Sequence, residues 1–281
     1  MKKGLLITLI ACGVLFLAGI AAFVIGLALG GSPSFAYDIR EKKLYSNKKA
    51  ETYSDDLDVD AFDALNLEVD AGDLTIQEGD SFHVSYKLYR KPVITVKDGV
   101  LTIKPEKEKL EFTLFQFGTI TEKSYLTITV PEGTDLKDNI IDLDAGDFII
   151  SGIDMDSLNL DVDAGEVKLS DMKIDTLKAD IDAGDADITT CEFGSIKIDV
   201  DAGNVDIDDS KLDKITADVD FGNIDMDLHG EEADYGINID CDAGNVSVNG
   251  KKTGNNYSCE GKGGKNISVN VDAGNVSIEF K

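Results

Sequence analysis

The chain has 281 residues, with 54 acidic against 27 basic side chains, a formal net charge of −27, two histidines and four cysteines. So acidic a surface excludes nucleic acid and other polyanions as direct partners unless metal ions bridge them. With His83 and His229 the only histidines and no arginine beyond Arg90, groups for imidazole catalysis or for neutralising an anionic substrate are scarce.

In chain order, Lys2 and Lys3 precede residues 5–29, a run without a single charge. As a helix it would reach about 37 Å, enough to cross a hydrocarbon core of about 30 Å with some tilt. Residues 1–31 are therefore expected to be a transmembrane anchor, and residues 32–60 a linker. Leu9-Ile10-Ala11-Cys12 resembles a lipoprotein processing site, and cleavage near Ala36 is a second alternative. Apolar residues continue after Cys12, where a lipid anchor needs a polar tether, and the run is long for a signal peptide. Basic residues lie on both sides of the span, at Lys2 and Lys3 and from Arg40 to Lys49. The expected orientation, with the C-terminal part outside the cell, rests on the usual build of an exported protein with an N-terminal anchor.

Residues 61–135 read as a first coil followed by hairpins. The β-rich runs are 82–89, 93–96, 100–103, 110–117 and 125–130, separated by turn signals such as Lys97-Asp98-Gly99. They are expected to cover an edge that a solenoid would otherwise leave open.

Residues 136–281 are a repeat. Asp-Ala-Gly followed by an acid or Asn begins at Asp144, Asp163, Asp182 and Asp201, and becomes Asp-Phe-Gly-Asn at Asp220, with the same step between each copy and the next. Looser copies begin at Asp242 and Asp272, and an outlier at Asp70. Leu158, Leu177, Ile196 and Ile215 form one apolar column. Val162, Ile181, Val200 and Val219 form a second, and Leu169, Ile188, Ile207 and Met226 a third. Apolar and polar residues alternate around each tetrad with the period of a half-buried strand. One such unit cannot bury its apolar face alone, whereas stacked units can. The fold class is thus all-β, a parallel β-solenoid with 19-residue coils, right-handed by the default for parallel crossovers, behind one transmembrane α-helix. Gly146, Gly165, Gly184, Gly203 and Gly222 are expected to form the turns, because the position needs positive φ or has no room for a Cβ. Ala164, Ala183 and Ala202 are expected to fill the tight corner beside them. Cys191 and Cys241 fall at inward positions and read as small buried hydrophobes.

Asp98-Gly99-Val100-Leu101-Thr102-Ile103, then Leu126-Thr127-Ile128-Thr129-Val130-Pro131, then the glycine repeats, resemble the bacterial membrane-anchored family of "putative adhesins", a β-strand-repeat domain of unknown function. The resemblance covers nearly everything after residue 60. It implies a β-solenoid exposed at the cell envelope, and brings no established activity, substrate or catalytic residue.

Residues 136–281 hold 34 acids against 12 lysines, and so −22 of the net charge. Asp161, Asp180, Asp199 and Asp218, with Asp142 and Asp240, are expected to form one outward column. Asp144, Asp163, Asp182, Asp201 and Asp220, with Asp242 and Asp272, form its neighbour. At a strand spacing of about 4.8 Å, like charges repel by roughly 0.9 kcal/mol in water and about 3.5 kcal/mol at an effective dielectric of 20. Turn N–H groups, raised pKa values with shared protons, or bound cations could offset this, Ca²⁺ being the natural ion outside the cell. No other cofactor is implied, and no zinc spacing occurs. Asn204, Asn223, Asn245 and Asn275 replace the acid after the glycine and can stack as a hydrogen-bonded ladder.

The function expected is a membrane-anchored, non-enzymatic envelope scaffold or adhesion module that meets a cell-envelope polymer or protein partner. The alternative is an envelope sensor or accessory protein coupled through its membrane helix. A carbohydrate-active β-helix enzyme is a third reading, but its catalytic carboxylates should stand out from the repeat, and none does.

Overall fold

The computed structural model describes residues 52–106 and 123–281, together with the strands at Phe35–Asp38, Lys43–Ser46 and Thr113–Phe117. Residues 5–29, read as the transmembrane helix, lie outside the described residues. Among the described residues, no helix is long and apolar enough to cross a membrane.

Contacts divide the chain into two units, Met1–Glu51 with Lys107–Glu122, and Thr52–Glu106 with Lys123–Lys281. In chain order the strands begin with β1 (Phe35–Asp38), β2 (Lys43–Ser46), β3 (Tyr53–Asp58), β4 (Ala64–Val69), β5 (Asp73–Gly79), β6 (His83–Leu88), β7 (Pro92–Lys97), β8 (Val100–Pro105), β9 (Thr113–Phe117) and β10 (Tyr125–Pro131). The first unit contains an antiparallel sheet of order β2-β1-β9. Two expectations need correction. The span 32–60 read as linker contains β1, β2 and β3, and within the stretch 110–117 read as part of the cap, Thr113–Phe117 pairs, as β9, with β1.

The second unit continues with β11 (Leu136–Leu143), β12 (Phe148–Ser151), β13 (Met155–Ala164), β14 (Val167–Ser170), β15 (Lys173–Ala183), β16 (Ala186–Thr189), β17 (Glu192–Ala202), β18 (Val205–Phe221) and β19 (Ile224–Leu228). A 3₁₀ turn at Glu232–Asp234 leads to β20 (Tyr235–Val248), β21 (Lys251–Gly254), β22 (Asn256–Cys259) and β23 (Lys265–Phe280). Each coil runs through a long strand, bends at the glycine, and continues as a short strand. Equivalent strands pair in parallel, so β13 lies beside β15 and β14 beside β16, each residue opposite its counterpart one repeat later. The three apolar columns are the registered inward positions, and all twelve residues are at most 1% exposed. The inward side chains of the long and short strands form one core. Cys191 and Cys241 belong to it as expected, and burial pushes the Cys191 thiol up to about 11.

The first coil is β4 and β5, stacked in parallel on β11 and β12. Beyond it, β8 pairs with β4 and β10 with β5, both in parallel, and β7, β6 and β3 add antiparallel strands outside them. The two central residues of the β7–β8 hairpin, Asp98 (φ 52°) and Gly99 (φ 80°), are left-handed, as the two-residue turn signal demands.

At the other end, chain order and spatial order part. The long and short halves of β23 pair with β18 and β19 on one side and with β20 on the other. The last coil in sequence is therefore inserted beneath the one before it, and β21 and β22 fold back antiparallel along the outer edge of β20.

Candidate functional site

The first predicted acid column exists as drawn over most of its length. Asp142, Asp161, Asp180, Asp199 and Asp218 are consecutive registered partners, and Glu68 extends the column at its start. Asp218 is followed by Asn270 and only then by Asp240, because β23 is inserted. Asn270 Nδ2 donates to Asp218 at 3.0 Å, which relieves the column at that step. Asp144, Asp163, Asp182, Asp201 and Asp220 form the second column at the corner, where the neighbouring positions Val162–Ile181 and Ala164–Ala183 are in register. The same insertion gives Asp220 the neighbour Asp272 in place of Asp242.

The glycines beside the ladder are fixed by close approach. A Cβ on Gly165 or Gly184 would lie 1.8 Å from the carbonyl oxygen of the preceding coil's glycine, 1.7 Å at Gly203 and 1.5 Å at Gly222. At Gly146 the distance is 2.2 Å. Such distances leave no space for any side chain, whatever the value of φ. The alanines do not fill the corner. Ala164, Ala183 and Ala202 are exposed, since the chain turns through two successive outward positions there.

The N–H bonds expected to offset repulsion go to a different column, the residue after the glycine, and they come from the next coil. The Asp147 carboxylate accepts from Glu166 N at 3.1 Å, and Asp185 accepts from Asn204 N at 2.7 Å and Nδ2 at 2.8 Å. From there an asparagine ladder runs in spatial order. Asn223 donates to Asn204 through N at 3.1 Å and Nδ2 at 2.9 Å, Asn275 to Asn223 with both at 3.0 Å, and Asn245 to Asn275 with both at 3.2 Å. Among the described residues, Asp161, Asp163, Asp180, Asp182, Asp199 and Asp201 accept no hydrogen bond and form no ion pair. Partial burial, and then the carboxylates above and below, raise the pKa of Asp144, Asp161 and Asp220 from the ordinary value of 3.8. The ridge thus stores like-charge repulsion. No group of three or more His, Cys, Asp or Glu side chains among the described residues converges to hold a metal ion. A carboxylate column directed outward does not fit a chelated Ca²⁺, which takes six to eight oxygens.

One residue interrupts this surface. Phe221 occupies the alanine position of its tetrad, between Ala202 and Ala273, and is 67% exposed. An exposed phenyl ring is thereby set among Asp220, Asp201 and Asp272.

A second acidic face, on the short strands, escaped the sequence reading. Asp187, Asp206 and Asp225 are registered partners. With Asp208, Asp227 and Glu279 they line a shallow groove of 660 Å³. Partial burial raises the pKa of Asp187 and Asp206. Lys281 reaches into this face, 2.6 Å from Asp227 and 3.8 Å from Asp208. The available signal was Lys168, Asp187, Asp206 and Asp225, which recur at the same place in successive repeats. Neither histidine lies on the ridge. His83 bridges Asp56 (2.5 Å) and Asp58 (2.9 Å) in the cap, and His229 lies 2.9 Å from Asp209.

A family model for Toastrack DUF4097 matches residues 62–279. The chain belongs to this family. Among solved structures, this Toastrack chain is similar to a "putative adhesin" from Bacteroides fragilis, at 16% identity and a TM-score of 0.49, covering 82% of this chain and 97% of that one. It is also similar to a "putative cell adhesion protein" from Clostridium sporogenes, at 16% identity and a TM-score of 0.39, covering 82% and 100%. A third is a "putative lipid binding protein" from Parabacteroides distasonis, at 16% identity and a TM-score of 0.42, covering 84% and 98%. Among curated proteins, none matches the chain.

Proposed function

We propose that this Toastrack chain is a non-enzymatic binding module of the cell envelope, anchored through residues 5–29 with its β array outside the cell, whose acidic corner ridge docks a cationic partner surface around Phe221. The observation that carries the reading is the phenyl ring, 67% exposed, where every other coil of the regular array places alanine. In a repeat, function is sought where one unit departs from the others. An exposed aromatic anchor ringed by unpaired carboxylates suits a basic protein surface or an amine-bearing wall polymer.

The test is co-sedimentation of the full chain with isolated cell envelopes at low and high salt. F221A is expected to weaken binding about tenfold or more, in the range of a lost aromatic anchor, with no change in melting temperature. Binding that is indifferent to F221A and to D201N/D220N sinks the ridge as the docking surface. Release of soluble protein in place of membrane-bound protein on cell fractionation sinks the anchor.

A further inference from the structure

Among the described residues of the second unit, strand pairing stops at an edge strand at each end of the array, and the two ends differ. At the first end the long-strand sheet finishes at β7 and the short-strand sheet at β3, which among the described residues pair only with β8 and with β6. At the other end the same two sheets finish at β22 and β21, each paired only with β20 among the strands in register. Each of these strands presents a row of backbone groups that another chain can pair with.

The short-strand edges carry opposite charge. β3 has Asp55, Asp56 and Asp58, all exposed. β21 has Lys251 and Lys252, both exposed and without an ion pair among the described residues. The long-strand edges are less polar. Val93 on β7 is 46% exposed beside Ile94 and Val96, and β22 offers the half-buried Tyr257 and Cys259. A second copy shifted along the stack brings β3 against β21 as antiparallel neighbours and β7 beside β22 in parallel. Like ends do not match, because β3 against β3 sets three aspartates opposite three.

We infer that copies of this chain associate head to tail, the acidic β3 edge of one copy pairing with the basic β21 edge of the next. The contact is heterologous and does not close on itself, so it generates open chains and not a defined dimer. It uses the ends of the array and leaves the corner ridge free, so it stands apart from the docking proposed for Phe221.

Sedimentation of the full-length chain in detergent tests this with charge reversal. The wild type is expected to gain mass with concentration at low salt and to lose that gain in ~0.5 M salt. K251E/K252E has two acidic ends and D55K/D56K two basic ends, Asp58 still holding His83 in the latter. Each alone should associate about tenfold or more weakly than the wild type, and an equimolar mixture should recover wild-type association because each new end meets its opposite. F221A should leave association unchanged. The inference fails if the wild type stays monomeric to roughly 1 mM, or if the mixture associates no better than its components. It also fails if both variants associate as the wild type does, the result expected of contacts through the membrane segment.

Discussion

The regular coils from β11 to β19 and the closing coils from β20 to β23 are built from the same sequence pattern, yet only the first set stacks in chain order. In the regular array every unit lies one repeat from its neighbour, and one connection is as short as the next. In the closing coils, Ile237-Asn238-Ile239-Asp240-Cys241-Asp242-Ala243-Gly244-Asn245 and Ile267-Ser268-Val269-Asn270-Val271-Asp272-Ala273-Gly274-Asn275 are near copies at a longer separation, and the later one takes the inner place. The shared columns fix the register of both copies but are satisfied by either order of stacking.

The largest expected effect probes that slot. Val271 is fully buried between Val219 and Cys241, so V271D places a charge in the core with coils on both sides. Urea unfolding should show a loss of about 4–5 kcal/mol. The exposed Lys252→Asp on β21 should cost under about 0.5 kcal/mol. A small loss at Val271 would mean that β23 is not inserted.

Next comes the regular array. G184A puts a Cβ against the Gly165 carbonyl oxygen at 1.8 Å and should cost about 3–4 kcal/mol, since two backbones must separate. G250A, at a turn where nothing lies within 4 Å of the new Cβ but φ is +69°, should cost only about 1 kcal/mol. Equal losses at the two sites would show that conformation, and not close approach, selects the glycine column.

The asparagine ladder joins the two regions, because Asn223 of the regular array receives Asn275 of the inserted coil. N223A removes these bonds and the Nδ2 bond to Asn204, leaving the backbone N–H bond to Asn204 in place, and should cost roughly 2 kcal/mol. Hydrogen exchange should rise first in β23. A rise confined to β16 and β17 would separate the ladder from the insertion.

The smallest effect concerns the acid ridge and is read through pH. Asp161 has a folded pKa above 3.8, so the folded state binds the proton more tightly and the site favours folding most at low pH. That contribution is lost as pH rises through the raised value. D161N should therefore raise the melting temperature by about 1–3 °C at pH 7 and leave it unchanged below pH ~3.8. An advantage that is the same at both pH values would mean that charge is not the cause.

The coil period, the three core columns, both acid columns and the stacking of asparagines were legible because each is a periodic property, visible in one chain as identity at fixed spacing. The β23 insertion was not, since both near copies satisfy the same columns and nothing in either states its neighbour. The exposed alanines were misread because a small residue beside the glycine was expected to fill the tight corner, whereas two successive residues face outward there. The second acid face was overlooked for a simpler reason. Its column runs through Thr75, Ile149 and Lys168 before it turns acidic, which hid the run of Asp187, Asp206 and Asp225. Phe221 was visible as a break in the tetrad, but whether the ring faced core or solvent depended on that same corner.

The inserted coil also bears on the order of events during synthesis. A ribosome adding about 5–20 residues per second delivers β23 roughly 2–6 s after the equivalent part of β20. Through that interval β20 has no coil beneath it in its final position, and its apolar residues Ile237, Ile239 and Val246 have an equivalent slot on β18 and β19 open to them. If β20 occupies it first, β23 must displace an already paired strand. The finished array would then be reached by strand exchange, and its slow step would belong to the nascent chain's history more than to its final contacts.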